Sequence, residues 1–262
     1  MKKNIAEVYN EHLVLLKPLI GEIRKHVKKG DIVIDLGCGT GAYINTLEKQ
    51  IGRNGTIIGI DKRAEMVRYC KKKFQKPNFI FKQLPAEKLS LIKRKADVVL
   101  ASLVLQFTNT KKSISGIRSI LKPNGKLIMA IPLYRTGIEI APDRESRIFK
   151  VEFLKNIKAG LKKHKIKKEP NFSYANKREK IFRELLKKNG FVILSWKIKA
   201  IVKANLGVLL DYFKIGWRSE RILKAPFSLR YTVLTSALKN TFAKYPNFKV
   251  NRYYLIAVAN KK

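Results

Sequence analysis

The stretch Val33-Ile34-Asp35-Leu36-Gly37-Cys38-Gly39-Thr40-Gly41 decides the fold. Residues 32–36 are apolar apart from Asp35 and stop at a glycine cluster. That is the pattern of a parallel strand buried on both faces. Three glycines at alternate positions let the backbone turn sharply and leave room for a ligand against it. Residues 42–50 then carry helical spacing. In open α/β sheets, ligands sit outside the carboxyl ends of the strands, where this strand–turn–helix junction falls. A dinucleotide fingerprint spaces its glycines Gly-x-Gly-x-x-Gly. Here the spacing is Gly-x-Gly-x-Gly with Asp35 before it, which suits a cationic ligand better than a diphosphate.

Working outward, residues 56–60 form an apolar run ending in Asp61, and residues 96–101 one ending in Ser102. Residues 126–131 follow the turn Lys122-Pro123-Asn124-Gly125, and residues 79–81 add a short strand. Helical patterns at 64–73 and 111–121 lie between these runs. The alternation predicts βαβ units and a parallel sheet. After Ile131 the order is less regular. In an insertion at 133–175, Ile148, Val151, Leu154, Ile157 and Leu161 fall at helical spacing. Lysines at 155, 158, 162, 163, 165, 167 and 168 crowd its other faces. This is either an amphipathic cap helix with a solvated outer face or an anion-docking surface beside the active site. A helix at 178–189 closed by Gly190, a strand at 191–198, helices at 206–215 and 227–243 and a strand at 253–259 follow. The expected fold is α/β: a Rossmann-like, seven-stranded, mostly parallel sheet flanked by helices, with a helical cap inserted after strand five. We expect a single domain over 1–262, made of an N-terminal helical region (1–29), a ligand-binding core (30–132), the basic insertion (133–175) and a C-terminal part of the sheet with a helical cap (176–262).

Composition narrows the class. Of 262 residues, 45% are hydrophobic, enough for a core and too many for a disordered chain. No apolar run approaches the roughly 20 residues of a membrane span, and the apolar run Leu13–Leu16 is broken by Lys17 and Pro18, too soon for a signal peptide. The expectation is a soluble, cytoplasmic protein. Cys38 and Cys70 make neither a disulfide framework nor a metal constellation, so no metal is expected. The net charge of +38 draws anionic partners: nucleic acid, an anionic membrane, an acidic carrier protein or an anionic small molecule. A general lysine bias would give the same number, because the lysines run along the whole chain.

Asp61 stands about 20 residues after the glycines at the tip of the next strand, where a carboxylate accepts hydrogen bonds from ribose hydroxyls. Residues 32–47 resemble motif I of the class I S-adenosylmethionine (SAM)-dependent methyltransferases. Gly59-Ile60-Asp61 with Met66 resembles their second motif, and Ala86-Glu87-Lys88-Leu89 the segment near the adenine. Residues 96–106 resemble the fourth-strand motif and 121–127 the turn into strand five. The resemblance spans residues 30–132. It implies that Gly37, Cys38 and Gly39 lie against the methionine part of SAM through their backbone. It implies that Asp35 faces the SAM amino group, directly or through water. By the same resemblance Asp61 holds the ribose with Lys62 beside the adenine, Met66 packs nearby, and Ala86 and Glu87 border the adenine. Ser102 and Gln106 sit at the mouth of the site, Gln106 toward the substrate. The chain departs from the family at Pro85, where many members carry Asp; a proline offers neither carboxylate nor amide donor.

The acceptor is less legible. Leu209-Leu210-Asp211-Tyr212-Phe213-Lys214, a helix, Tyr245-Pro246 and the last strand are loosely similar to the cap and tail of trans-aconitate and malonyl-carrier-protein O-methyltransferases. Tyr212, Phe213, Trp217 and Tyr254 either line an acceptor pocket or fill the core. Of the histidines, His12 and His26 fall in the N-terminal helical region and His164 in a lysine run, so none is assigned as a base. The expected function is methyl transfer to a small-molecule or carrier-bound, anionic acceptor. The alternatives are an RNA methyltransferase, which the charge favours, and a lipid or quinone methyltransferase at an anionic membrane. The segment after Ala101 reads Ser-Leu-Val-Leu rather than the Asn-Pro-Pro-Tyr type of amino-methylating enzymes.

Overall fold

A computed structural model describes residues 17–133, 144–167, 170, 176–204, 206–207, 209–210, 223–248 and 250–262. His12, Asp211, Tyr212, Phe213, Lys214 and Trp217, with most of the helix expected at 206–215, lie outside the described residues. The strands are β1 (Ile32–Leu36), β2 (Thr56–Asp61), β3 (Phe79–Gln83), β4 (Ala96–Ser102), β5 (Leu121–Pro132), β6 (Phe191–Ala204) and β7 (Val250–Lys261). The helices are α1 (Lys17–His26), α2 (Ile44–Ile51), α3 (Ala64–Lys73), α4 (Thr110–Ile120), α5 (Arg144–Lys163), α6 (Asn176–Lys188) and α7 (Phe227–Lys244). Short 3-10 turns occupy Ala86–Leu91 and Leu105–Phe107.

The chain divides into two compact units, 1–131 with 180–198 and 255–262, and 132–179 with 199–254. The seven-stranded sheet has the order β3-β2-β1-β4-β5-β7-β6. Its first five strands pair in parallel. β7 runs against β5: Lys261 Nζ donates to Leu121 O at one end and Leu133 N to Tyr253 O at the other. The Rossmann-like, mostly parallel sheet expected from the sequence is therefore present. β1 is an interior strand between β2 and β4, its Asp35 opposite Gly59 of β2 and Leu100 of β4. Val33, Ile34 and Leu36 are buried, as a strand covered on both faces requires.

The turn leading into the long run of β5 is more structured than the sequence pattern shows. Pairing with β4 starts at Leu121, opposite Ala96, and resumes at Lys126, opposite Val98, with a bulge between. Asn124 takes φ 59°, a conformation Asn tolerates better than most residues. Lys122 Nζ bonds both oxygens of Asp97 at 2.8 Å, and Asp97 Oδ2 also accepts from the Ile32 amide at 2.9 Å. This aspartate thus ties the bulge to the first residue of β1.

In the second unit, α5 packs on α7 through Phe149, Phe153, Ile157 and Leu161, against Val233, Leu234, Leu238 and Phe242. Gly160 permits the close approach: a Cβ there would lie 3.2 Å from Val233 Cγ1. The expected apolar stripe is corrected here. Ile157 and Leu161 are buried, but Ile148 and Val151 face outward and Leu154 is only half-buried. Phe149 and Phe153 set the phase of the helix instead, because two phenylalanines bury more apolar area than Ile148 and Val151 would. Among the described residues, no helix is long and apolar enough to cross a membrane.

Candidate cofactor site

The glycine turn is held to β2 and to itself by backbone hydrogen bonds. The amides of Gly37 and Cys38 both donate to Ile60 O, at 2.7 and 3.0 Å, and Gly41 N donates to Cys38 O at 2.8 Å. The glycines therefore supply shape rather than free donors. Gly37, at φ 71°, sits where a Cβ would come within 2.5 Å of Val104 Cγ2. Gly41, at φ 77°, would put one 2.4 Å from Phe74 Cε2. Positive φ and lack of space together leave glycine as the residue that fits both places.

Asp61, at the tip of β2, organises the adjoining strand end. Its Oδ2 accepts from Gly39 N and its Oδ1 from Arg63 N, each at 3.0 Å. Each carboxylate oxygen carries two lone pairs, so acceptor capacity remains for a ligand hydroxyl. Lys62 is exposed beside it, and its carbonyl accepts from Gln83 Nε2 at 3.2 Å. Met66 is fully buried on the inner face of α3. Ala86 is buried, while Glu87 turns its Oε1 to the amide of Asn109, 2.7 Å away, at the start of α4.

Beneath the turn, Asp35 is 2% exposed and its Oδ2 has no hydrogen-bond partner. Burial, and then the nearby Asp61 charge, push its carboxyl up to about 7. A buried carboxylate with an unused oxygen is suited to receive a cation. The Cys38 thiol is pushed far upward, chiefly by its hydrogen bond with Cys70 and then by burial. Cys70 Sγ in turn lies 3.2 Å from Gly39 O. Both cysteines are buried packing elements under the turn.

The end of β4 forms the other wall. Ser102 Oγ lies 3.2 Å from the Tyr43 hydroxyl. Leu103, a branched residue, is held at φ 54°, and Gln106 Nε2 donates to its carbonyl at 2.6 Å. Gln106 Oε1 is buried without a partner. Tyr43, Leu103 and Val104 carry no motif signal in the sequence; their positions follow from β1 and β4 being neighbours. Among the described residues, no three His, Cys, Asp or Glu side chains are placed to hold a metal ion.

A methyltransferase-domain family profile matches residues 27–193, well over half of the chain. The chain belongs to the class I SAM-dependent methyltransferase family. The chain is 34% identical over 102 residues to a ubiquinone/menaquinone biosynthesis C-methyltransferase of Wigglesworthia glossinidia brevipalpis, covering 37% of this chain and 41% of that one. It is 29% identical over 188 residues to a demethylmenaquinone methyltransferase of Lactobacillus johnsonii, covering 69% and 74%. The chain spans about two fifths of the length of the first of these curated relatives. Its fold is also that of a sarcosine dimethylglycine methyltransferase-like structure from Galdieria sulphuraria, with TM-score 0.55 and 14% identity over 94% of this chain and 84% of that one.

Proposed function

We propose that this chain is a SAM-dependent methyltransferase for a small-molecule or carrier-bound acceptor. The observation that carries the reading is the buried Asp35, whose unpartnered oxygen lies beneath a glycine turn that Asp61 holds from the side. That arrangement fits SAM, which brings a cationic amino group and a ribose diol to the same ligand. Asp35 would neutralise the amino group, and Asp61 would accept from the ribose. Gly37, Cys38 and Gly39 would give the methionine part its surface. When bound, SAM supplies an electrophilic methyl group to an in-line nucleophile.

The chain's own task is then alignment and charge. Ser102, Tyr43 and Gln106 line the end of β4 beside the turn, and the unused Gln106 Oε1 would take a donor group of the acceptor. An acceptor carboxylate is already ionised at neutral pH and needs no base. A lipid-soluble quinone acceptor is the second reading, favoured by the quinone-methylating names of several relatives.

The test has two steps. Isothermal titration with SAM should give saturable binding that Asp61→Ala weakens strongly. Labelled methyl from SAM, offered to fractionated cell extract, should then enter the small-molecule or lipid fraction. Label confined to RNA would overturn the acceptor class, and absence of SAM binding would overturn the reading itself.

A further inference from the structure

The outer face of α5 is built unlike an ordinary solvated helix face. Ile148, Val151, Lys155, Lys158 and Lys162 follow one another at spacings of three and four, so they share one line along the helix. All five are exposed, Ile148 by 46% and Val151 by 68%. The line spans about 21 Å at the helical rise. Its amino-terminal end is aliphatic and its carboxyl-terminal end is lysine, continued by exposed Lys163, Lys165 and Lys167. From 148 to 167 the one carboxylate is Glu152, which flanks this line beside Lys155 and is bonded to Lys244 of α7 at 2.8 Å. The opposite face is occupied by Phe149, Phe153, Ile157 and Leu161, so the outer line is not needed for the core of its unit.

We propose that this face docks on an anionic lipid bilayer surface. Lysines reach lipid phosphates while their stems lie along apolar surface, and the exposed aliphatics enter the boundary between headgroups and acyl chains. A nucleic acid would satisfy the lysines but offers nothing to Ile148 and Val151. Single-strand binding also calls for exposed rings on which bases stack, and the exposed line carries none. Charge and aliphatic exposure on one line therefore select lipid over RNA. The proposal uses neither SAM nor methyl transfer, so its failure leaves the methyltransferase reading intact.

The test is co-sedimentation of the full chain with vesicles of phosphatidylcholine, with and without one third phosphatidylglycerol. The expected result is binding to the anionic vesicles alone, weakening with added salt. Lys155→Gln with Lys162→Gln should lower that binding on the order of ten-fold. Ile148→Asn with Val151→Asn should lower it several-fold while leaving retention on polyuridylate unchanged. Unaltered melting temperatures show that the variants fold; Ile148→Ala with Val151→Ala replaces the second pair if they do not. No binding to anionic vesicles overturns the proposal. So does vesicle binding that ignores the aliphatic pair and is competed by polyuridylate, the result for a general polyanion face.

Discussion

The Gly39 amide donates to Asp61 Oδ2 over 3.0 Å, so the turn after β1 is fastened to the tip of β2 by the side chain proposed to hold the SAM ribose. Asp61→Ala should therefore act twice, by removing a ligand acceptor and by freeing the Gly39 and Arg63 amides. Hydrogen bonds to a charged group are worth about 1.5–3 kcal/mol each, so SAM affinity should fall about 100-fold. Calorimetric titration checks it. Asp61→Asn keeps the shape and one acceptor and should fall between; equal losses in both variants would mean that charge alone matters.

The pH dependence follows from Asp35. Its carboxyl rises from an ordinary 3.8 to about 7 in the folded protein, so the native state holds a proton that the unfolded chain has lost between those values. Stability is then highest below the lower value and declines as pH climbs through the upper one. Asp35→Asn should remove the decline, making the ligand-free variant roughly 4 kcal/mol more stable than the parent at alkaline pH. Binding should show the opposite trend. The ionised carboxylate attracts the SAM amino group, so parent affinity should increase as pH passes about 7 while Asp35→Asn stays flat. Melts and titrations from about pH 5 to about pH 9 test both trends.

Gly37 and Val104 test the geometry of the turn. Gly37→Ala forces a Cβ to 2.5 Å from Val104 Cγ2 at φ 71°. Backbone strain of about 1–2 kcal/mol and overpacking of about 1–3 kcal/mol should combine. Adding Val104→Gly should restore the packing part and leave the strain. Urea unfolding of the single and double variants separates the two; no recovery in the double variant would place the whole cost in the backbone.

The cysteines should be chemically silent in the folded protein. Cys38 and Cys70 are buried, and the Cys38 thiol is held neutral, whereas the thiolate is the reactive form. Iodoacetamide should leave both unlabelled under native conditions and modify both in urea, as read by mass spectrometry. Rapid native labelling of Cys38 would show that the turn opens.

The first five strands, the glycine turn and Asp61 are legible in the sequence, because a buried parallel strand and a turn that excludes side chains each restrict residue type locally. The same local reasoning mistakes the phase of α5. Ile148 and Val151 have the right spacing for a core stripe, and only packing against α7 shows Phe149 and Phe153 taking that place. Local pattern likewise carries no sign of Tyr43 meeting Ser102, of Val104 filling the space over Gly37, or of Leu103 at positive φ.

By itself the sequence determined the sheet, the glycine turn after β1 and the carboxylates beside it, since those depend on which backbone shapes and charges each segment allows. The tertiary structure decided what surrounds them: which oxygen of Asp35 is left unpaired, which amides Asp61 holds, and which line of α5 faces out. Those depend on contacts between residues far apart in the chain, fixed only when β1 lies between β2 and β4 and α5 lies on α7.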